Sequence, residues 1–278
     1  MKTLPPAIID FHVHLFPDKG FDAIWKYFAA MGAEVLHKLY SRECIDYLHA
    51  RGVERIVFSN YAHKQGIAEP MNDWNLDLLE RHDELYCFAA FHPDDDRALQ
   101  YTEQLLSHPR VAGIKLHFQV QRLYPSDPRL FPMYELVMKK NKRLLLHVGN
   151  GPTTNEFVGL EHFRPVLQRY PDLPANIPHM GCYEFQAFMD LLDDHPNLYL
   201  DTAYTFWPGL PFSFNLGNGH LEKYSHRILY GSDFPNIILP RQGEIEHLLS
   251  LDLSQAFYDR VFYANGMKLL NDMRSIPG

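Results

Sequence analysis

The sequence has little cysteine and no long apolar run. Its 278 residues include three cysteines, Cys44, Cys87 and Cys182, which are odd in number and far apart. This pattern argues against a disulfide framework or a cysteine-based zinc site and is typical of a reducing compartment. The apolar runs fall well short of the about 20 residues that a membrane span needs. The first residues, MKTLPPAIID, lack the apolar region of a signal peptide, so we expect a cytoplasmic protein without a membrane partner.

An excess of positive charge is also lacking. The chain has 26 Lys and Arg against 34 Asp and Glu, a formal net charge of −8. Binding to nucleic acid depends on a basic face that neutralises phosphates, so no nucleic acid partner is expected. The apolar content of 46% is ordinary for a globular protein. Histidine is the abundant residue, with 16 copies, and directs attention to metal or proton chemistry.

Short apolar runs alternate with helix-like segments along the whole chain. The runs are nearly continuous in apolar residues, as in parallel strands that are buried on both faces. Eight such units predict an α/β fold of the (β/α)8 TIM barrel type in a single domain over residues 1–278, whereas an open doubly wound sheet gives no reason for eight. The predicted strands are Ala7–Leu15, Arg55–Ala62, Leu85–His92, Val111–Phe118, Arg143–Gly149, Ala175–Gly181, Asn197–Thr202 and Arg227–Asp233.

Helical patterns fill the segments between these strands. SRECIDYLHARG begins at a predicted Ser41 cap and ends at Gly52. CYEFQAFMDLLDDHP carries Phe185, Phe188, Leu191 and Leu192 at helical spacing and stops before Pro196.

Two histidines, His12 and His14, interrupt the first predicted strand in AIIDFHVHLFP. Because side chains alternate along a strand, they point to the same side, together with Asp10. They come near the carboxyl end of the strand, where TIM barrels carry their active sites. Two imidazoles at this spacing can bind one metal ion, and the alternative is a pair of hydrogen-bonded core histidines.

Polar residues also end three later predicted strands. His147 ends the fifth in RLLLHVGNG, His179 ends the sixth in NIPHMG, and Asp233 ends the eighth in ILYGSDFP. Alone, each histidine could be a structural hydrogen-bonding residue and Asp233 a helix cap. Together with His12 and His14 they place metal-ligand chemistry at one end of the barrel, which predicts a metal site.

The order and spacing of these motifs resemble the amidohydrolase superfamily, in its amidohydrolase-related (amidohydrolase 2) branch of mononuclear hydrolases and decarboxylases. DFHVH corresponds to the motif of strand one, and LYGSDFP to that of strand eight. The segment from GIKLHF to RLLLHVG is similar to the signature of strands four and five. VFYANGMKLL resembles the closing helix, with Gly266 where alanine is usual, so the resemblance covers nearly the whole chain.

The resemblance implies that His12, His14, His147 and Asp233 bind one divalent metal ion. It implies that His179 is a catalytic general acid/base or substrate polariser, with Asp233 able to take a proton as well. Imidazole and carboxylate ligands favour Zn²⁺, although Mn²⁺, Co²⁺, Fe²⁺ or Ni²⁺ could occupy the same site.

The expected activity is that of a metal-dependent hydrolase acting on a small amide, cyclic amide, lactone or ester through a metal-activated water. The alternative is a non-oxidative decarboxylase of an aromatic or unsaturated carboxylic acid. A barrel that binds metal without activity is disfavoured, because every ligand implied by the resemblance is present.

Several further residues are candidates for binding the small-molecule substrate. Lys115 and His117 share one side of strand four, and Lys115 could instead pair with a buried carboxylate such as Asp10 or support a second metal. Tyr61 and Arg241 lie just beyond strands two and eight and could bind polar groups of the substrate.

Trp207 belongs to an aromatic-rich loop, YTFWPGLPFSFNLGNG, that follows strand seven. At the mouth of a barrel such a loop suits an apolar wall around the substrate. The same composition is typical of a subunit interface, so a homodimer is the other interpretation.

Overall fold

Eight parallel strands form one sheet whose spatial order follows the chain. The structure, a computed structural model, describes residues 2–274. The strands are β1 (Ile8–His14), β2 (Val53–Ser59), β3 (Leu85–Ala90), β4 (Val111–His117), β5 (Arg143–His147), β6 (Ala175–Ile177), β7 (Tyr199–Asp201) and β8 (Ile228–Leu229).

The sheet closes where β1 meets the chain at and beyond β8. The backbone N–H of Phe11 donates to the Tyr230 carbonyl at 2.9 Å, and that of His14 to the Phe234 carbonyl at 2.8 Å. In return the Asp233 N–H donates to the His12 carbonyl at 2.8 Å. A closed barrel of eight parallel strands with helices around it is the TIM barrel, so the predicted fold is confirmed.

Helices connect the strands and surround the barrel. None of the helices in the described part of the chain is both long and apolar enough to span a membrane. The helices are α1 (Asp18–Ala30), α2 (Ser41–His49), α3 (Ala68–Arg81), α4 (Ala98–Leu106), α5 (Phe118–Gln121), α6 (Phe131–Lys139), α7 (Leu160–Arg169), α8 (Phe185–Asp194), α9 (Asn218–Lys223), α10 (Arg241–Ser250), α11 (Gln255–Asp259) and α12 (Asn265–Arg274).

Local sequence explains most of these helices. On α8 the four apolar residues at helical spacing are buried, as predicted. The start of α2 differs from the prediction, because Tyr40 rather than Ser41 caps it. The Glu43 carboxylate accepts the Tyr40 N–H at 2.9 Å, while the Ser41 hydroxyl donates to the Phe16 carbonyl at 2.8 Å and fastens the helix to the end of β1.

Apolar side chains pack in two layers. The larger layer lies between the strands and the surrounding helices. The smaller one joins residues from seven strands inside the barrel, and α12 closes it with Leu269, Leu270 and Met273. Because α12 covers one end of the barrel, the other end is left for polar side chains. The strand residues of the inner layer are Ile9, Phe11, Val57, Tyr86, Phe88, Ala112, Leu145, Tyr199 and Leu229.

The last three strands end earlier than the sequence predicts. β6 stops at Ile177 because Pro178 has no N–H to donate to a neighbouring strand, and β8 has only two residues. His179 and Asp233 therefore lie on the connections that follow these strands rather than on the strands themselves.

Candidate metal centre

A bulge in β1 directs the two histidines into the barrel. Asp10 pairs with Ile56 and Val13 with Phe58, so β1 has one residue more than β2 over this stretch. The extra residue lets Phe11 stay in the inner apolar layer while His12, the next residue, also faces the interior.

Asp10 does not share the side of His12 and His14, contrary to the prediction from strict alternation. Its Oδ1 accepts the Ser232 N–H at 3.1 Å, and its Oδ2 lies 3.8 Å from Nε of Arg241. The bulge is the physical reason, because it interrupts the two-residue period of the strand.

Three of the four predicted ligands come together. The Asp233 Oδ1 lies 3.0 Å from Nε2 of His14 and 3.4 Å from Nε2 of His12. Their ligand atoms all lie within 4.8 Å of one another. In the described part of the chain, the buried Nε2 of His12 has no hydrogen-bond partner, which leaves it available to a metal ion. Two imidazoles and one carboxylate converging on one point are a donor set that fits a divalent transition metal.

The electrostatics of these residues suits metal binding. Burial lowers the pKa of His12 to about 4, so its ring is neutral at pH 7. Burial by itself would raise the pKa of Asp233, but the hydrogen bond from His14 and the neighbouring histidines hold that pKa below its ordinary value. Neutral imidazoles and an ionised carboxylate are the forms that bind metal.

Asp201 was not singled out in the sequence, yet it organises this centre. Its Oδ2 accepts a hydrogen bond from Nδ1 of His12 at 3.0 Å, which leaves Nε2 of that ring for the metal. Its Oδ1 accepts the backbone N–H groups of His179 at 2.9 Å and of Ala203 at 3.1 Å. The available signal was its place at the end of the seventh strand, the same signal that identified Asp233 at the eighth.

His179 is held beside the three ligands in an uncommon backbone conformation. Its φ is 58°, in the left-handed region that residues with side chains seldom adopt, and Asp233 has the same φ. Such conformations persist where the surroundings enforce them and are concentrated at functional sites. The Nδ1–H of His179 donates to the Ala203 carbonyl at 2.8 Å, and its ring centre lies 5.4 Å from that of His12. The other ring nitrogen of His179, Nε2, does not take part in this hydrogen bond.

His147 lies at the same end of the barrel but outside the group of three. It is paired in register with His117, and the two rings stack at 4.3 Å. Its Nε2 lies 3.2 Å from the Gly151 carbonyl oxygen. Its role as the fourth metal ligand therefore stays a prediction.

Lys115 is buried beside the centre without a partner. Its side chain is 0% exposed, and its Nζ has no hydrogen bond among residues 2–274. Burial lowers the pKa of Lys115 to about 8, opposed by the charges of Asp233 and Asp201. The suggested pair with Asp10 does not form, since Arg241 lies beside that carboxylate. A role in binding a second metal stays a prediction.

His117 and Tyr61 form the wall next to Lys115. Among residues 2–274 the buried Nδ1 of His117 has no hydrogen-bond partner, and burial holds the pKa of His117 well below the ordinary value. The Tyr61 ring lies 4.9 Å from that of His117 and 5.9 Å from that of His14. Both rings therefore lie beside the metal centre, and their contact with a substrate stays a prediction.

The comparison with protein families agrees with this geometry. The sequence model of the family described as amidohydrolase matches residues 9–271. The chain belongs to the amidohydrolase family. Enzymes of this family are metal-dependent, so the amidohydrolase centre has the expected ligand types. No curated protein matches the chain significantly.

Solved structures share the fold of this amidohydrolase at low sequence identity. An uncharacterised TIM-barrel protein from Bordetella bronchiseptica is 17% identical, with a TM-score of 0.73 over 96% of this chain and 99% of its own. The 5-carboxyvanillate decarboxylase of Novosphingobium aromaticivorans, complexed with manganese and a nitrobenzoic acid, is 13% identical, with a TM-score of 0.69 over 95% and 96% of the two chains. The 2,6-dihydroxybenzoate decarboxylase of Rhizobium is 16% identical, with a TM-score of 0.65 over 97% and 99%.

Two predicted substrate-binding residues of the amidohydrolase lie away from the centre. The Arg241 side chain is 1% exposed, with its Nε 3.8 Å from Asp10 and its guanidinium over the Tyr230 ring. Trp207 lines a separate cavity of about 230 Å³ with Phe206, Phe214 and His247, and no residue of the metal centre lines that cavity. The substrate-binding roles of both residues stay predictions, as does the interface interpretation of the Trp207 loop.

Proposed function

We propose that this member of the amidohydrolase family is a metal-dependent, non-oxidative decarboxylase of an aromatic or unsaturated carboxylic acid. The observation that carries the proposal is the unpaired ammonium of Lys115, fully buried beside the metal ligands. Burying a charge without a partner costs several kcal/mol, and an anionic substrate would offset that cost. A carboxylic acid substrate brings a negative charge, whereas a simple amide, lactone or ester does not.

The sequence alone favoured hydrolysis. The similar solved structures support decarboxylation instead. Two of the proteins described above are decarboxylases of hydroxylated aromatic acids, and each aligns with nearly the whole chain. The wall of Tyr61 and His117 offers flat surfaces to a planar acid.

We assign the metal to His12, His14 and Asp233, with His147 as the candidate fourth ligand. When bound, the ion supplies a Lewis acid that polarises an oxygen of the substrate. Zinc remains the expectation from the ligand types, and the manganese in the Novosphingobium decarboxylase makes that ion the other candidate. Asp201 keeps the ring of His12 oriented.

The proton of the reaction is assigned to His179. Loss of CO₂ breaks a carbon–carbon bond and leaves the electron pair on the substrate carbon, which then needs a proton. The Nδ1–H of His179 donates to the Ala203 carbonyl. The protonated form of His179 would therefore deliver the proton through Nε2. Lys115 would hold the carboxylate until CO₂ leaves.

Hydrolysis remains the second candidate because the centre also has a base and an acid. Asp233 and His179 flank the same point and could remove a proton from water and protonate a leaving group. Isotope labelling separates the two reactions, because they place solvent atoms on different atoms of the product.

The test uses protein loaded with Zn²⁺ or Mn²⁺, incubated with 5-carboxyvanillate, 2,6-dihydroxybenzoate and a panel of amides, lactones and esters. The expected result is CO₂ release with one solvent deuterium on the product carbon. Label from ¹⁸O-water in a new carboxylate, without CO₂, would contradict the proposal and establish hydrolysis.

A variant of Lys115 that lacks the ammonium tests the argument for an anionic substrate. Lys115→Met keeps an unbranched side chain but lacks the terminal ammonium, so we expect KM for the acid to rise about tenfold or more, the size of a lost charged hydrogen bond. Lys140→Met, at a partly exposed lysine outside the barrel, is the matched control and should leave KM unchanged. An unchanged KM in Lys115→Met would remove the argument for an anionic substrate.

A further inference from the structure

Glu244 has a buried carboxyl group that the proposed reaction does not use. It lies in the first turn of α10 with 5% of its surface exposed. Within residues 2–274 no cation forms an ion pair with it, since Arg241, one turn earlier, lies beside Asp10. Burial raises the pKa of Glu244 to about 8. A polar group buried at such cost needs a partner, and its partners are backbone N–H groups.

Those N–H groups belong to the loop that follows β7. The Oε1 of Glu244 accepts the Phe206 N–H at 3.0 Å, and the nearby Tyr204 N–H lowers the pKa of this carboxyl group, against the effect of burial. Tyr204 has a φ of 64°, a conformation that costs free energy and persists only where neighbours hold it. Gly243 packs on the same loop, because a Cβ there would lie 2.6 Å from the Trp207 ring. Helix α10 therefore holds residues 204–207 by hydrogen bonds and by close contact.

The peptide group held by Glu244 is the one that orients His179. The Tyr204 N–H and the Ala203 carbonyl are the two ends of a single planar peptide unit. The N–H end faces Glu244 and lowers its pKa, and Nδ1–H of His179 donates to the carbonyl end at 2.8 Å. Polar groups at both ends of a peptide unit restrict its rotation. A rotation of this peptide unit would take the carbonyl away from His179.

We infer that Glu244 is a positioning residue for His179 and acts through the peptide unit between Ala203 and Tyr204. Glu244 thereby fixes which nitrogen of His179 carries a hydrogen and where its Nε2 points. The inference rests on the proposed function only in using His179 as the proton-transfer group, and that use is common to decarboxylation and hydrolysis.

Apolar and conservative variants of Glu244 test the inference. Glu244→Met has a side chain of similar size without a hydrogen-bond acceptor oxygen. If Glu244→Met does not fold, Glu244→Ala takes its place. We expect kcat to fall about tenfold or more, with KM within about threefold and metal content unchanged, because the ligands are intact. Glu244→Gln keeps an acceptor oxygen and should stay within about threefold of the wild-type kcat. Glu246→Ala, on the exposed side of the same helix, is the matched control.

A double-variant cycle shows whether the effect passes through His179. With His179→Asn already present, adding Glu244→Met should lower kcat less than twofold further. The inference would be overturned if the losses in kcat from the two substitutions multiplied. It would also be overturned if Glu244→Met alone kept the wild-type kcat.

A measurement without substrate separates this inference from the proposed function. Amide hydrogen exchange at Tyr204 and Phe206, and the NMR signal of the His179 Nδ1–H, report on the loop directly. We expect faster exchange at both amides and loss of the imidazole signal in Glu244→Met, with both retained in Glu244→Gln and Glu246→Ala. Unchanged exchange would overturn the inference even if the enzyme proves to be a decarboxylase, and absence of CO₂ release would leave it standing.

Discussion

Each histidine of the centre takes its chemical role from the group that holds its other ring nitrogen. Asp201 accepts from Nδ1 of His12 and leaves Nε2 for the metal. A backbone carbonyl, that of Ala203, rather than a carboxylate accepts the hydrogen bond from Nδ1 of His179. In His147 it is Nε2 that faces a carbonyl, that of Gly151. Residue type alone does not distinguish these three positions.

Replacing His179 with Asn tests its role at this scale. We expect metal content to stay near one equivalent per chain while kcat falls by about two orders of magnitude, the usual contribution of a general acid or base. Elemental analysis and steady-state kinetics on the same preparation measure both quantities. If the variant lost its metal, His179 would be a ligand and the assignment of roles would be wrong.

At the scale of elements, irregular backbone places the side chains of the centre. The bulge in β1 lets Phe11 fill the barrel while His12 enters the polar end. The connection after β8 passes so close to β1 that only glycine fits at position 231, since a Cβ there would lie 2.7 Å from Cβ of His12 and 3.3 Å from Cγ of Asp201. The short connection thus fixes the distance between the ligand His12 and its hydrogen-bond partner.

Gly231→Ala tests that close approach. The added methyl group must displace the His12 side chain, so we expect a loss of stability of about 1–3 kcal/mol, typical of overpacking, together with weaker metal binding. Gly219→Ala, on α9 with no atom within 4 Å of the added Cβ, is the control and should be neutral or slightly stabilising. Thermal unfolding and metal titration of the two variants measure the effects. Wild-type values for Gly231→Ala would show that the connection can relax.

At the scale of the whole molecule, the barrel has an apolar end covered by α12 and a polar end that holds the metal centre. The predicted ligands come from the first strand and from the connection after the last, so an ion bound there would join the two segments at which the barrel closes. An ion that binds the folded chain better than the unfolded chain adds its binding free energy to folding.

Metal removal is therefore expected to lower the melting temperature. Protein dialysed against a chelator should regain Tm on addition of Zn²⁺ or Mn²⁺, with a stabilisation of about 2.7 kcal/mol at one hundred times Kd. His12→Ala should show no such gain, because it lacks a ligand and leaves a weaker site. Calorimetry with and without the ion measures both. A Tm independent of metal in the unaltered protein would contradict a site at this position.

The sequence by itself determined the architecture and most of the side chains at the centre. Each strand is a local apolar run, and its position in a parallel barrel follows from the order of the units, so the eightfold pattern predicted the barrel. His12, His14, Asp233 and His179 could be found because each interrupts or follows an apolar run, and that signal is local too.

Only the tertiary structure decided how these side chains are supported. Asp201 reaches His12 across 189 residues, and Arg241 lies beside Asp10 across the junction of the first and last strands, so no short motif contains either contact. The β1 bulge depends on how β1 pairs with β2. Because of this bulge, Asp10 lies on the side of the strand opposite to His12 and His14, not on the predicted side. Lys115 could be placed inside the barrel from alternation, but its lack of a partner depends on where every nearby carboxylate lies. Charge pairing in a barrel is set by contacts between strands, and these are known only once the strands are closed into a ring.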